Sequence, residues 1–421
     1  MNGESEKDRV LRELRERTKA IIGREEIPPD TPCVEPEGAR VWFAGSNAVT
    51  PHGSAFVTET RFEPGDIFGL CRLSDFVDAP LGDLARWSGQ HWLADLRARD
   101  LLFFDIETAG APGNPAMFAF LTGLGGFEDR AFVVRQVFAE DPDDEAACMH
   151  AVAEIVAKYA ALVSFNGIGF DVPVLAGRMR RMRLDPTVMD RPHLDLLPYS
   201  RRLWRGAFDN CRLATLEHEV VGHARVGDVP GVLIPSIYED YLTHKDVRRI
   251  RAVFDHNIWD VAAMPALALR MARCAAASSP DAEDLSPAES AAIGRDRLAR
   301  GEIDAATVFL DHGRNARGKI GRRAAEDLVK IYKTTRRMDE AVALWQGMID
   351  RQEAEGEFDP HPYIELAKYR EHWEGQYQAA LDVAARAESR CPTEKKHWRE
   401  DLAKRTMRLR WRLAGKRTIR Q

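Results

Sequence analysis

Three stretches of the chain differ in how their hydrophobic positions are spaced. Residues 4–24 place aliphatic side chains at helical intervals among charged ones, and a proline-rich segment follows. Two strand-like runs, ARVWFAG and SAFVTETRF, come next and are separated by the turn signal TPHG. We therefore expect residues 1–95 to contain an N-terminal helix and a small β-rich cover region without chemistry of its own.

The segment 96–275 alternates strand-like and helical patterns. LLFFDIET has the apolar run of a buried strand, FAFLTGLGGF and AFVVRQVFAE predict two more strands around the turn EDR, and ALVSFNG predicts another. Helical periodicity marks DEAACMHAVAEIVAKYA, FDVPVLAGRMRRMRL and residues 238–273. Strands followed by a strand–helix alternation predict an α/β fold, with a mixed sheet flanked by helices.

Beyond the α/β segment the pattern becomes purely helical. The composition of 276–290 is that of a linker. After it, Ala306, Ala341 and Ala380 each follow a short polar turn, at intervals of 35 and 39 residues. Tetratricopeptide repeats have a period of ~34 residues, so we expect 291–421 to be an all-α, tetratricopeptide-like region with a basic tail. A plain helical bundle is the alternative.

Composition narrows the class of protein. Hydrophobic residues make up 45% and charged residues 30% of 421 positions, which suits a globular protein of two or three domains. The start MNGESEKDRV lacks the apolar core of a signal peptide, and no apolar run approaches the ~18 residues of a membrane helix. We therefore expect a cytoplasmic protein that does not enter a membrane. Its six cysteines form no CxxC pair, which argues against a zinc ribbon or a disulfide framework.

Four carboxylates lie in predicted elements: two at the end of a strand, one at the start of a helix and one within a long helix. Asp105 and Glu107 lie two apart in the apolar strand LLFFDIET, so both point to one face. Asp171 begins a helix after the turn NGIGF, and Asp260 lies one helical turn after His256. Each has an ordinary explanation alone, such as a strand-end acid, a helix N-cap or an exposed His–Asp pair. Together they offer the oxygen ligands that two divalent cations need, and we expect them to converge.

These carboxylates belong to segments that resemble a known family. FDIET, NGIGFD and HNIWD resemble the three motifs of the DEDD exonucleases, in the same order and in the same structural settings. The likeness is closer still to the YprB-type ribonuclease H-like domain, whose connecting sequence resembles HLDLLPYSRRLW, CRLATLEHEVVG and DVPGVLIPSIYEDYL. The resemblance covers about residues 100–275. It implies a ribonuclease H-like fold, two Mg²⁺ or Mn²⁺ ions and phosphodiester hydrolysis, with 3′–5′ exonuclease action as the usual mode.

The expected general base departs from the family pattern. DEDD enzymes carry either a histidine five residues before the last aspartate or a tyrosine four residues before it. Here Asp255 occupies the first of these positions and His256 the second. Histidine has an unperturbed pKa of ~6.5 and can act as a base from this place. The expected catalytic set is therefore Asp105, Glu107, Asp171, His256 and Asp260, and all but His256 are expected metal ligands.

Two other functions remain open on the same residues. A ribonuclease H-like domain that has lost turnover would act as a nucleic-acid-binding scaffold, and the displaced histidine favours this alternative. A structure-specific endonuclease is the other, because this fold supports both modes of cutting. The helical repeats would then serve as a platform for substrate or for a protein partner.

Basic clusters around the motifs indicate a nucleic-acid partner, with single-stranded ends as the expected substrate and DNA or RNA left open. Arginines next to an aromatic ring can pair with phosphates while the ring stacks on bases. The net charge of −6 does not oppose this, because local patches decide such binding. The expected contact residues are Asn166, Arg178, Arg181, Arg201, Arg202, Trp204 and Arg205.

Two further acidic segments are weaker candidates. LEHEVVGH resembles a zinc-protease motif, but His218 and His223 are five apart and do not lie on one helix face, so HExxH is not met. Asp195, in HLDLL, is either a carboxylate placed behind the metal ligands or a strand-end acid.

Overall fold

The structure, a computed structural model, describes residues 43–110 and 117–418. The helix expected over 4–24 and the proline-rich segment lie outside these residues. The chain divides into two compact units, the first ending at Ala277 and the second beginning at Ser278. Among the helices of the described residues, none is both long and apolar enough to cross a bilayer.

A seven-stranded mixed sheet forms the centre of the first unit, in the order β1-β2-β7-β6-β5-β8-β9. Neighbouring strands are antiparallel from β1 to β5, and β5, β8 and β9 run parallel. The α/β prediction is therefore confirmed. The described strands are β1 (Gly45–Thr50), β2 (Gly53–Phe62), β3 (Ile67–Phe68), β4 (Cys71–Arg72), β5 (Leu101–Ala109), β6 (Phe118–Glu128), β7 (Ala131–Phe138), β8 (Ala161–Ser164) and β9 (His193–Asp195), with β3 and β4 forming a separate pair.

Strands β1 and β2 fall in the segment expected to be a cover, and they extend the main sheet. Strand β2 pairs with β7 from Phe56 to Phe62. Ala55, Phe56 and Thr58 of β2 are buried, and Ala55 and Phe56 join the core of the sheet. Pairing with β7 gives the backbone N–H and C=O groups of β2 the hydrogen-bond partners that an edge strand would leave unpaired.

Helices surround this sheet. The last of them, α7, packs against β5, β6 and β7, whereas α2 contacts β1, β2 and β7. The helical pattern expected over 238–273 is two helices, because Lys245 adopts a left-handed conformation and Asp246 caps the second one. The described helices are α1 (Leu81–Ser88), α2 (Glu145–Val156), α3 (Asp171–Arg181), α4 (Leu196–Trp204), α5 (Leu213–Leu216), α6 (Ile234–His244) and α7 (Val247–Ala276), and a π-helix, Glu217–Val221, follows α5.

Glycine in β6 lets α7 approach the sheet closely. Gly123 lies opposite Asp105 in the β5–β6 ladder. A Cβ added at Gly123 would stand 2.2 Å from Oδ1 of Asn257 and 2.8 Å from a methyl group of Val261, both on α7. The missing side chain therefore makes the space in which α7 reaches the carboxylates of β5.

The second unit is entirely helical in its described part, as expected. A capping box between Ser286 and Glu289 begins α8, so helix starts inside the segment expected to be a linker. Ala306, Ala341 and Ala380 are fully buried in its core. Whether these helices form true tetratricopeptide repeats stays a prediction. Their bounds are α8 (Pro287–Ala299), α9 (Ile303–Gly313), α10 (Gly318–Thr334), α11 (Met338–Ala354), α12 (Pro360–His372), α13 (Tyr377–Arg390) and α14 (Lys396–Thr418).

The close approach at Gly123 gives a test of this packing. Replacing Gly123 with Ala should lower the unfolding free energy by about 1–3 kcal/mol, because the methyl group has no room against Asn257. The matched change Gly177→Ala in α3, where a Cβ would meet no atom within 4 Å, should instead raise it by about 0.5–1 kcal/mol. Urea unfolding of both variants measures this. Equal effects at the two glycines would contradict the packing argument.

Candidate metal centre

Strand β5 carries the first two carboxylates, Asp105 and Glu107. Their side chains lie on one face of the strand, while Phe104 and Ile106, on the other face, are buried. The β5–β6 pairing shifts register between Glu107 and Thr108. Such a bulge bends a strand and re-aims its side chains, and here it comes directly after the second carboxylate.

Asp171 is brought to β5 by the turn that follows β8. It begins α3, and its Oδ1 accepts a hydrogen bond from the backbone N–H of Ile106 at 3.3 Å. Asp195 holds the turn in place, because its carboxylate accepts from the backbone N–H of Asn166 at 2.8 Å and of Ile168 at 3.3 Å. Asp195 also caps α4. It therefore lies behind the site, where it supports Asp171.

Helix α7 supplies the remaining two groups. His256 Nε2 lies 3.3 Å from Asp260 Oδ2 and 3.8 Å from Glu107 Oε1. One ligand atom from each of Glu107, His256 and Asp260 falls within 4.8 Å of the others. The other ring nitrogen, Nδ1, lies 2.6 Å from Asp228 Oδ1. The three sequence motifs are thus brought together at one place, and we call Asp105, Glu107, Asp171 and Asp260 the carboxylate cluster.

A buried chain of hydrogen bonds fixes Asp105. Asn257 is fully buried on α7, and its Nδ2 donates to Asp105 Oδ2 at 3.0 Å. Its Oδ1 accepts from Gln136 Nε2 on β7 at 3.0 Å, and Gln136 Oε1 accepts from the Thr58 hydroxyl on β2 at 3.2 Å. The chain crosses the sheet from β2 to β5. As a result, Oδ2 of Asp105 already accepts a hydrogen bond from Asn257.

Arg225 is the largest feature of the site that sequence reasoning missed. Its guanidinium pairs with Asp260, with Glu217 at the start of the π-helix, and with Asp228 at 3.2 Å. The arginine side chain is only 7% exposed and that of Glu217 is 0% exposed. One oxygen of Asp260 therefore faces an internal cation while the other faces His256.

Burial and mutual repulsion shift the pKa of most members of the cluster. Burial, reinforced by the charges of Asp260, Glu107 and Asp171, raises the pKa of Asp105 well above its usual range. Burial raises the pKa of Glu107 to about 8 and that of Asp171 to about 7. The positive charge of His256 lowers the pKa of Glu107 and Asp105 but does not outweigh their burial.

Asp260 and His256 shift in the opposite sense, because each has a partner of the other sign. Burial opposes the charged form of Asp260, but His256 and Arg225 outweigh it and hold the pKa of Asp260 below its usual value. Burial also opposes the charged form of His256. Hydrogen bonds to Asp228 and Asp260, with the charges of Asp260 and Glu107, nevertheless raise the pKa of His256 to about 11.

The donor set fits divalent cations. Asp105, Glu107 and Asp171 offer carboxylate oxygens, which Mg²⁺ and Mn²⁺ prefer, and burial without neutralisation is what raises the pKa of each. A cation held among them would remove that penalty. Asp260 would be the fourth ligand, and to bind through both oxygens it would have to release Arg225.

The expected nucleic-acid contacts divide into exposed and buried residues. Trp204 is 1% exposed, so its ring is packed in the core and the expectation that it stacks on bases is corrected. Arg178 pairs with the buried Glu145. Arg202 donates to the backbone oxygen of Trp87 at 2.7 Å and lies over that ring. The exposed members of the set are Asn166, Arg181, Arg201, Arg202 and Arg205, and their binding role stays a prediction.

The segment LEHEVVGHARVGD contains the sequence signal that points to Arg225 as a member of an ion-pair network. Glu217, His223 and Arg225 lie in this one segment, and Glu217 Oε1 is 2.5 Å from His223 Nδ1. The apparent zinc-protease motif is therefore the scaffold of a buried ion-pair network. Asp228 is the last residue of this segment and begins the family-like DVPG sequence. The alternating acidic and basic residues around a glycine indicate ion pairs, but the sequence does not show which strand or helix Arg225 contacts.

Fold and site together define a protein of the ribonuclease H-like class, and comparisons with known proteins agree. A family model described as the RNase_H superfamily matches residues 102–272. The uncharacterized protein YprB of Bacillus subtilis (strain 168) is 32% identical over 301 residues, which is 70% of this chain and 71% of that one. The chain therefore belongs to the family of YprB-type ribonuclease H-like proteins, as its motifs indicated.

A solved structure gives a weaker likeness. The family B DNA polymerase from the hyperthermophilic archaeon Pyrobaculum calidifontis aligns with 48% of this chain at 15% identity, with a TM-score of 0.32. The matched part spans only 29% of that polymerase. No conclusion about activity follows from this similarity.

The buried ion-pair network predicts a large cost for losing Arg225. Replacing it with Gln leaves Glu217 and Asp260 without their shared cation, and breaking a buried pair costs about 3–5 kcal/mol of unfolding free energy. Arg248→Gln is the matched control, because its pair with Asp246 is 64% and 30% exposed and should contribute only ~0–1 kcal/mol. Urea unfolding without metal compares them. Similar losses would show that the network is no stronger than a surface pair.

Proposed function

We propose that the protein is a metal-dependent nuclease that hydrolyses phosphodiester bonds in nucleic acid. Membership of the ribonuclease H superfamily supports a nucleic-acid hydrolase. The observation that carries the proposal is the meeting of Asp105, Glu107, Asp171 and Asp260, from three separate motifs, around His256. We further propose two Mg²⁺ or Mn²⁺ ions as cofactors and 3′–5′ exonuclease action on single-stranded ends.

The protein's own groups have distinct roles in this proposal. When bound, two divalent cations supply the Lewis acidity that stabilises the attacking and leaving oxygens of a phosphoryl transfer. Asn257 holds Asp105 in one orientation, and the turn fastened by Asp195 holds Asp171 against β5. Asp228 orients the His256 ring so that Nε2 points toward Glu107 and Asp260. The ligands are thus placed before substrate arrives.

The role of His256 depends on its charge. A pKa of about 11 means that the imidazole carries a proton at neutral pH and can donate to a phosphate oxygen or to water. General-base action requires the neutral ring, and positive charge from bound cations would favour it. The base role expected from the sequence therefore stays a prediction.

A second candidate function is favoured by Arg225. Because its guanidinium already pairs with Asp260, it competes with a cation for the fourth ligand. A ribonuclease H-like domain that binds nucleic acid with weak or no turnover would tolerate this arrangement. Cleavage in the presence of bound metal separates the two functions, since the nuclease cuts a strand and the scaffold only binds it.

Catalysis predicts different outcomes for ligand and base substitutions. Asp105→Asn should abolish both cleavage and tight metal binding, whereas His256→Ala should cut turnover about 10²–10⁴-fold and leave metal binding intact. Asp129→Asn, at the exposed turn between β6 and β7, is the matched control and should change neither. The assay uses end-labelled DNA and RNA strands with Mg²⁺, Mn²⁺ or chelator, and metal affinity is measured by calorimetry.

Circular substrates added to the same panel distinguish exonuclease from endonuclease action, because only an endonuclease cuts a strand without ends. If the wild-type protein cuts no strand with either metal while it still binds them, the scaffold function replaces the nuclease. If Asp105→Asn cuts as well as the wild type, the carboxylate cluster is not the active site.

The raised pKa values predict how stability depends on pH and metal. Asp171 and Glu107 keep their protons in the folded, metal-free protein up to a pKa of about 7 and about 8, against ordinary values of 3.8 and 4.5. The folded state thus binds more protons than the unfolded chain, and its unfolding free energy should fall as pH rises from about 4 to about 8. Mg²⁺ or Mn²⁺ should oppose this fall.

The thermal midpoint, measured at pH values near the two ends of that window with metal or chelator, tests this. Added metal should raise the midpoint more at the alkaline end, where the carboxylates would otherwise be charged and unpaired. The double variant Asp105→Asn, Glu107→Gln should respond equally to metal and chelator. An equal metal response at both pH values in the wild type would argue against a cluster that repels itself.

A further inference from the structure

The second unit carries large apolar side chains that its core does not use. Trp373 is 79% exposed, Trp411 78% and Met407 69%. Met407 and Trp411 are four residues apart on α14, so they lie on one face of that helix. Leu402 and Leu409 of the same helix are fully buried in the core. Met407 and Trp411 therefore belong to the outer face of α14, and not to a frayed part of the core.

An ion pair brings the two tryptophans to the same end of the helical unit. Glu371, near the end of α12, accepts a hydrogen bond from Arg408 at 2.6 Å and lies 3.5 Å from Arg412, both on α14. Trp373 follows Glu371 by two residues, and Trp411 is next to Arg412. The Glu371 side chain is 0% exposed, so this contact fixes the end of α12 against the last turns of α14.

Positive charge surrounds these rings. Residues 395–421 contain eleven Lys or Arg and two acids. Lys404 and Arg410 are exposed on α14 and form no ion pair with any residue in the described ranges. We name the resulting surface the basic–aromatic face, and its residues are Trp373, Lys404, Met407, Arg408, Arg410 and Trp411.

Exposed rings set among cations are the chemistry of single-strand binding, in which bases stack on aromatic faces and phosphates meet Lys and Arg. A membrane surface fits less well, because an interfacial helix inserts a broad apolar face and keeps its charges on the other. Here the buried Leu402 and Leu409 of α14 face the core, and Met407 and Trp411 alone do not form a broad apolar face. An acidic peptide would use the charges but would leave two tryptophan rings without a partner.

We propose that the basic–aromatic face binds single-stranded nucleic acid, separately from the carboxylate cluster of the first unit. The proposal rests on the proposed function only in that nucleic acid is the natural ligand of both. Stacking on Trp373 and Trp411 supplies affinity that tolerates any base sequence. Lys404, Arg408 and Arg410 make that affinity depend on salt.

The test is direct binding without cleavage. Fluorescein-labelled oligothymidylate and oligouridylate, about 16 nucleotides long, are titrated with the full-length protein in chelator and followed by anisotropy. Trp411→Ala should weaken binding about 5- to 150-fold, the range for loss of one stacked base, and Trp411→Phe should retain most of the affinity. Lys404→Glu should weaken binding and flatten its dependence on salt.

The matched control is Lys319→Glu, a charge reversal at an exposed lysine of α10, which should leave the affinity unchanged. Wild-type affinity in both Trp411→Ala and Lys404→Glu would overturn the proposal. So would Trp411-dependent binding to phosphatidylserine vesicles without binding to either oligonucleotide, since that would identify a membrane surface as the partner.

The outcome is distinguishable from that of the proposed nuclease. A protein that binds strands through Trp411 in chelator but never cuts them with metal supports this face and refutes the nuclease. A protein that cuts strands, and whose affinity does not depend on Trp411, supports the nuclease and refutes this face. Circular dichroism of each variant confirms that the helical unit is intact before the affinities are compared.

Discussion

Repulsion among buried carboxylates is the constraint on which the first unit depends. Burial disfavours the charges of Asp105, Glu107 and Asp171, and His256 offsets this only in part for Asp105 and Glu107. A folded protein tolerates this only if other interactions hold the groups in place. Backbone and amide donors do so here, through Ile106 for Asp171 and Asn257 for Asp105. The proposed metal would therefore link the stability of the fold to the occupancy of this site.

Arg225 and His256 neutralise the cluster on one side only. Both contact Asp260, whose pKa is held low, while the carboxyl groups of β5 and α3 keep a raised pKa. The site is thus polarised, with a neutralised half on α7 and an electron-rich half on the sheet. A cation entering the site would meet its strongest attraction at the sheet.

The sequence predicted the elements that carry local patterns. The apolar run around Asp105, the turn before Asp171 and the helix with Asp260 were all recognisable, and their resemblance to family motifs implied the ribonuclease H-like class. These features are encoded within a few residues each, by side-chain alternation, turn residues and helical spacing. The prediction was strongest where one strand or one helix decided the outcome.

Contacts between residues that are far apart in the sequence were harder to predict. Strand β9 has only three residues, too few to show a period, and β2 found its partner in β7 across a long stretch of chain. Trp204 was expected at a surface because arginines surround it, yet a ring of that size gains more by burial. Arg225 comes from an irregular segment whose approach to Asp260 no local pattern records.

The hydrogen bonds that end at Asp105 have one further consequence. A side-chain carboxamide has a donor nitrogen and an acceptor oxygen, so a chain of hydrogen bonds through two of them runs in one direction. From Thr58 through Gln136 and Asn257, every bond points its hydrogen toward Asp105. The terminal hydroxyl lies on β2, which provides no acidic group to the cluster. Strand β2, in its hairpin with β1, therefore starts the hydrogen-bond chain that orients Asp105. Removing this hairpin, so that only the parallel strands remained, would remove that support for the orientation of Asp105.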